Sequence, residues 1–279
     1  MGLPSVLMTA DDVEAGRYRL FVSLACPFSA RALMARSLLG LEEVVPVTVV
    51  DPTLQAEGWA FGGLGEPDPV LGARLLRELY LYDDPAFMGR VTVPVLWDHR
   101  HDRLVSQESA DIVRAFDTVF MQGRDVPIDL APADIVGEID ALNTWLHRDL
   151  CVAVYTAGFA EDQTVYDEAV QTIFGVLDEL EDRLDGPFLF GERLTESDLF
   201  LFSTLIRFDM AYYVLFKVNR RQIRDYPSLW AFVQRVARVR GVAETVSLDH
   251  IGRSYYSIRI LNPRGVRPVG PDHVMSLFS

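Results

Sequence analysis

The feature that most limits what this chain can fold into is a run of large apolar residues, Tyr18 to Ser23, that leads directly into Cys26-Pro27. The run alternates as a half-buried strand does. Proline suits the first turn of a helix, where its missing N–H would have had no partner. Ala30, Leu33, Met34, Leu38 and Leu39 then keep helical spacing as far as Gly40, which can end the element. The unit is strand, turn, helix, with a cysteine at the turn. Val44 to Val50 is β-branched and stops at Asp51-Pro52, which predicts a second strand, parallel to the first.

Glu57 to Pro69 is rich in Gly and Pro and reads as a long loop of the kind that serves a site, and Leu71 to Tyr82 restores helical spacing through Leu75, Leu76, Leu79 and Tyr80. Val91 to Trp97 and Arg103 to Val105 read as strands joined by a turn, followed by an amphipathic helix over Glu108 to Phe120. The order β-α-β-α-β-β-α fits one sheet covered by helices, so an α/β domain is placed at residues 1–122. Beyond the link Gly123 to Pro132 the spacing is helical over Ala133 to Tyr155, Thr164 to Leu184, Glu196 to Tyr213 and Pro227 to Arg240, which predicts an all-α domain at 123–256. Thr195-Glu196-Ser197-Asp198 sets a hydroxyl three positions before a carboxylate, a variant of the capping box and a structural device. Residues 257–279, broken by Gly and Pro, read as an extended tail.

Composition narrows the function. With Lys+Arg 26 against Asp+Glu 40 the chain carries a net charge of −14, which repels phosphate backbones and anionic lipid surfaces, so neither nucleic acid nor membrane is an expected partner. The most apolar stretch, Leu199 to Phe216, is broken by Arg207 and Asp209. Met1 to Gly16 has acidic residues and no basic one, unlike a secretory leader, and the expected location is cytoplasmic. Cys26 and Cys151 are too few for a disulfide framework. His99, His101, His147, His250 and His273 show no zinc spacing, and no phosphate-loop glycine pattern occurs, so neither metal nor nucleotide is expected.

Cys26-Pro27-Phe28-Ser29 carries the chemistry. A sulfur at a helix amino terminus meets free N–H groups and the positive end of the helix dipole, which suits a nucleophilic thiolate. Ser29 stands where a dithiol motif holds its resolving cysteine, so the second thiol must come from solution. Val93-Pro94 is open to a cis peptide that exposes the Val93 backbone to an extended peptide-like ligand, or to a trans proline at a sheet edge. Glu108-Ser109 begins a predicted helix, where a ligand carboxylate can meet N–H groups and the Ser hydroxyl while Glu108 meets an ammonium; simple capping is the other reading. Arg31 and Arg90 can offset negative charge at an anionic ligand or be solvated. Trp59 covers a ligand or plugs the loop. Cys151 is expected in the core.

These residues resemble the Xi-class glutathione transferases, also called glutathionyl-hydroquinone reductases. The resemblance runs over nearly the whole chain, through RYRLFVSLACPFSAR (Arg17 to Arg31), Gly58-Trp59-Ala60-Phe61, GRVTVPVLWD (Gly89 to Asp98), Glu108-Ser109, VYTAGF (Val154 to Phe159), Leu194 to Asp209 and Gly241 to His250. It implies a thioredoxin-like amino-terminal domain, a helical glutathione-transferase carboxy-terminal domain and a homodimer. It also implies glutathione as co-substrate and reduction of aromatic glutathionyl-hydroquinones through a mixed disulfide on Cys26. Trp59, Arg90, Val93, Pro94, Glu108 and Ser109 match the glutathione-site positions; Tyr155 and Tyr255 match the tyrosines that face the aromatic substrate, where a phenol can protonate the carbon as sulfur departs. The chain departs from the family's Cys-Pro-Trp-Ala-His-Arg run in having Phe28 and Ala30, and Val218-Asn219 stands for a Cys-Asn pair. An omega-like thioltransferase or dehydroascorbate reductase, and a non-catalytic glutathione-binding protein, are the competing readings.

Overall fold

The computed structural model describes residues 13–124 and 127–278. Most of the stretch Met1 to Gly16, two residues of the link Gly123 to Pro132, and residue 279 lie outside the described residues. The chain divides into two compact units: one runs through Ile128 and takes in Thr245–Ser257, and the other comprises Asp129–Glu244 and Ile258–Ser279.

In the first unit β1 (Tyr18–Val22), α1 (Pro27–Leu38), β2 (Val47–Val49), α2 (Leu76–Asp83), β3 (Val95–Asp98), β4 (Arg103–Ser106) and α3 (Ser109–Thr118) follow in the expected order. The four strands form one sheet of order β2-β1-β3-β4. The β1/β2 pair is parallel, with Leu20 opposite Val47, and β1/β3 and β3/β4 are antiparallel, with Phe21 opposite Val95. Side chains alternate across a strand, so Phe21, Val95 and Trp97 share one face and pack with Leu76, Leu79 and Tyr80 of α2. On the other face the Tyr18 ring meets Phe120 edge-on at 5.3 Å. A buried clasp ties β1 to β3: Arg17 donates Nε and Nη2 to Asp98 at 3.1 and 2.9 Å, and His101 Nδ1 lies 2.8 Å from the same carboxylate.

Two elements are shorter than their spacing predicts. β2 begins at Val47 because Val44 and Val45 both turn their N–H groups onto Leu41 O, at 3.0 and 2.8 Å. α2 begins at Leu76, not Leu71, because the Asp68 carboxylate collects the N–H groups of Val70, Leu71 and Ala73, each at 3.0 Å, and folds that segment into a turn. Glu78 then reaches back to the N–H groups of Arg74 and Leu75.

The second unit contains α4 (Val136–Leu146), α5 (Ala153–Gly158), α6 (Gln163–Arg183), α7 (Glu196–Arg207) and α8 (Pro227–Ala237). The single helices expected over 133–155 and 196–213 are each interrupted by a π-helical segment, His147–Val152 and Phe208–Tyr212. α7 is buried along its whole length, and the capping box forms: Asp198 accepts from Thr195 N at 2.7 Å, Thr195 Oγ1 at 3.0 Å and Leu189 N at 2.8 Å. Burial pushes the Asp198 carboxyl up to about 6 against the pull of those donors.

A helix that the apolar spacing does not announce, α9 (Leu248–Tyr256), is capped by Ser247, whose Oγ accepts from His250 N at 3.2 Å; it groups with the first unit. The tail is not wholly extended. Residues Asp272–Met275 form α10 and Ser276–Phe278 a 3₁₀ turn. His273 Nε2 lies 2.7 Å from the buried Asp209 carboxylate, and its ring lies edge-on to Trp230 at 5.2 Å, which docks that turn.

Candidate functional site

Cys26 is the N-cap of α1, with extended backbone angles (φ −76°, ψ 126°) and Pro27 as the first helical residue. Its N–H donates to Ser23 O at 3.0 Å and its carbonyl accepts from Ala30 N at 3.1 Å, which closes the turn between β1 and α1. The thiol is half-buried, and Sγ lies 3.4 Å from Val93 O, to which it can donate. Ser29 is fully buried, and its Oγ accepts from Ser23 N at 3.3 Å.

Val93-Pro94 is cis, immediately before β3. Cys26, Trp59 and Val91, all partly buried, pack against the cluster to which Val93, Val95 and Tyr80 belong. Trp59 is fixed through its backbone, with its carbonyl accepting from Leu76 N at 2.9 Å, while Asp51 N donates to Ala60 O at 2.8 Å. The Trp59 side chain is partly buried against that cluster. Arg90 is exposed.

Glu108 and Ser109 sit at the start of α3, as N-cap and first helical residue. The Glu108 side chain makes no capping bond and is exposed, and its N–H donates to Ser106 Oγ at 3.0 Å. Ser109 is buried, with Arg31 Nη1 3.5 Å from its Oγ. Arg31 is buried, not solvated: it is 1% exposed, with its guanidinium 4.7 Å from the centroid of the Phe28 ring. The aromatic side chain after Pro27 thus forms a cation–π wall for a buried arginine.

Tyr155, in the second unit, lies edge-on to Phe216 at 5.5 Å and Tyr212 at 5.9 Å, and Tyr212 stacks on Phe216. The π-helical segment His147–Val152 directly precedes α5, which carries Tyr155. Tyr255 is 5% exposed on α9. Cys151 is buried, and Thr204 Oγ1 donates to its sulfur at 3.2 Å. Among the described residues no group of three or more His, Cys, Asp or Glu side chains could hold a metal ion.

One residue that matters here was read from sequence only as part of a helical stripe. Tyr80 is fully buried on α2, and its hydroxyl lies 3.0 Å from Thr92 O, 3.3 Å from Thr92 N and 2.9 Å from Gln107 Oε1. Burial pushes its phenol up to about 12, so it keeps its proton near neutrality.

A sheet of this order, with a half-buried thiol at the start of the first helix and a cis X-Pro turn 3.4 Å from it, is the thioredoxin-like plan on which glutathione transferases are built. Residues 25–119 match the family description "Glutathione S-transferase, N-terminal domain" and residues 163–235 match "Glutathione S-transferase, C-terminal domain". The chain is 42% identical over 262 residues to glutathionyl-hydroquinone reductase PcpF of Sphingobium chlorophenolicum, covering 92% of this chain and 84% of that protein. The glutathione-bound structure of YqjG, a glutathione transferase homologue from Escherichia coli K-12, superposes with a TM-score of 0.90 at 42% identity, over 93% of this chain and 86% of that one. Glutathione transferase Xi 1 from Trametes versicolor gives 0.92 at 39% identity, over 96% and 98%. The chain belongs to the Xi-class glutathione transferases, the family of the glutathionyl-hydroquinone reductases.

Proposed function

We propose that this protein reduces glutathionyl-hydroquinones with glutathione. Cys26 Sγ attacks the glutathione sulfur of the substrate, the aryl carbon–sulfur bond breaks, and its electron pair stays on the ring carbon, which takes a proton. A second glutathione thiolate then attacks the Cys26 mixed disulfide and leaves as glutathione disulfide, returning the Cys26 thiolate. The balance is one glutathionyl-hydroquinone plus one glutathione to one hydroquinone plus one glutathione disulfide.

The reading rests on one observation: the half-buried sulfur of Cys26 lies beside the Val93 carbonyl, at the backbone edge where an extended peptide would pair. Glutathione lies along that edge, with a carboxylate at the α3 N-terminus and Ser109, its ammonium toward Glu108, and Trp59 and Arg90 at its flank. Tyr155 and Tyr255 supply phenolic protons on the aromatic side. Ser29 spends its hydroxyl on Ser23 N, so no neighbouring thiol competes with the second glutathione. The enzyme works as a cytoplasmic homodimer.

The test is incubation of the reduced protein with glutathionyl-menadiol, followed by intact-mass and peptide mass spectrometry. Hydroquinone release with a glutathione adduct on Cys26, both lost in Cys26→Ser, is the expected result. Thioltransfer without hydroquinone release would favour the omega-like reading. Unchanged release in Cys26→Ser would overturn the mechanism.

A further inference from the structure

The two backbone segments that hold glutathione in this reading, Thr92-Val93-Pro94 before β3 and Gln107-Glu108-Ser109 before α3, come from separate parts of the first unit. A single side chain touches both. Tyr80, on α2, places its hydroxyl 3.0 Å from Thr92 O, 3.3 Å from Thr92 N and 2.9 Å from Gln107 Oε1. Tyr80 is fully enclosed and Gln107 nearly so, so little solvent competes for these bonds.

The chemistry of the hub is definite. A phenol has one proton to donate and two lone pairs with which to accept. Thr92 O and Gln107 Oε1 compete for that proton. The hydroxyl shares its proton between Gln107 Oε1 and Thr92 O, 2.9 and 3.0 Å away, and accepts from Thr92 N–H. Thr92 is then held at both its polar backbone groups, one residue before the carbonyl that faces Cys26. Gln107 is held one residue before the exposed carboxylate of Glu108.

We propose that Tyr80 is a positioning residue for glutathione: its hydroxyl sets the spacing between the Val93 backbone edge and the α3 N-terminus, so that one tripeptide meets both. This rests on the site assignment above but not on the reaction. Tyr80 touches neither substrate nor the reacting atoms; it acts through Thr92 and Gln107. The contribution falls on glutathione binding, because the Cys26 turn is closed independently by its own bonds to Ser23 and Ala30.

The test measures glutathione binding to the reduced protein by titration calorimetry and, separately, the KM for glutathione and kcat with glutathionyl-menadiol. Tyr80→Phe keeps the ring in the core and removes only the oxygen. Its Kd and KM for glutathione are expected to rise about tenfold, with kcat at saturation within about twofold, the pattern of lost uniform binding. Gln107→Met, which removes the second arm at similar volume, is expected to raise Kd in the same direction. The double variant should bind no more weakly than the worse single one, since the two substitutions break one network. A Tyr80→Phe protein that melts lower but binds glutathione like the parent would overturn the proposal, as would full additivity of the two substitutions. Absence of glutathione binding by the parent protein would do the same. If the parent binds glutathione but releases no hydroquinone, the calorimetric arm still decides the role of Tyr80 while the reaction assignment fails.

Discussion

Asp198 offers a quantitative handle on the second unit. Its carboxylate is fully enclosed at the start of α7 and takes three hydrogen bonds, yet burial raises it from its ordinary 3.8 to about 6. A group raised in the folded state binds its proton more tightly there than in the unfolded chain. Its contribution to stability is therefore complete below about pH 3.8 and is lost as pH rises through about 6. The gap corresponds to about 3 kcal/mol in full, at ~1.36 kcal/mol per pH unit. Between about pH 7.5 and about pH 5 the linkage relation gives a gain on the order of 1 kcal/mol.

Asp198→Asn removes the titration and, because its NH₂ must face a donor, also costs about 1–3 kcal/mol for a buried N–H left without an acceptor. Urea unfolding of the parent and Asp198→Asn at about pH 7.5, 6 and 5, followed by tryptophan fluorescence, isolates this group by difference, since every other titration is common to both. The parent's advantage over the Asn variant should widen by on the order of 1 kcal/mol on going from the highest to the lowest pH. An advantage that is constant across that range, or that narrows, refutes the assignment of Asp198 as a proton-binding cap.

Further outcomes follow from the same geometry. In the Arg17–Asp98 clasp, burial opposes the charge on Asp98, but hydrogen bonds from Arg17, His101 and Arg100 N–H outweigh it and hold the carboxyl well below its usual range. Its contribution is thus present above the ordinary carboxylate value and lost as pH falls further, and Asp98→Ala should destabilise by about 3–5 kcal/mol in chemical denaturation by stranding Arg17. Gly65→Ala would bring a Cβ within 2.5 Å of Asp51 N and 2.6 Å of Val49 O; a loss of about 1–3 kcal/mol is expected, with weaker glutathione binding by calorimetry as the Trp59 loop shifts. Gly158→Ala would drive a Cβ to 2.4 Å from the Phe216 ring, against which Tyr155 packs, so the KM for an aromatic glutathionyl conjugate should rise while glutathione affinity stays at the parent level.

What the sequence made legible was local. The strand-Cys-Pro-helix unit follows from alternation over Tyr18–Val22 and a proline at the first helical position, and the Thr195–Asp198 box from a hydroxyl and a carboxylate three residues apart. Some of the features that escaped are local but weakly signalled, and others depend on partners distant in the chain. α9 buries only Ile251, Tyr255 and Tyr256, too sparse a stripe to register, although its Ser247 cap was a visible signal. The π-helical segments each slip the phase of an apolar stripe that otherwise reads as one helix. Arg31 reads from sequence as a cation at an anionic ligand or in solvent; Phe28, one turn earlier on α1, is a local signal for its ring contact, but Ser109 reaches it only through the tertiary fold. Tyr80 showed its ring in the periodicity, but the use of its hydroxyl depends on residues 92 and 107, which only the tertiary fold brings to it.

The hydroxyl of Ser29 does more than leave Cys26 without a neighbour. It is sealed from water and is the acceptor on which the Ser23 amide closes the bend behind the nucleophile. Putting sulfur there would exchange a good acceptor for a poor, bulkier one at a fully buried position. Passage along this scaffold from single-thiol to paired-thiol chemistry is therefore an architectural event, in which the bend must be rebuilt along with the side chain.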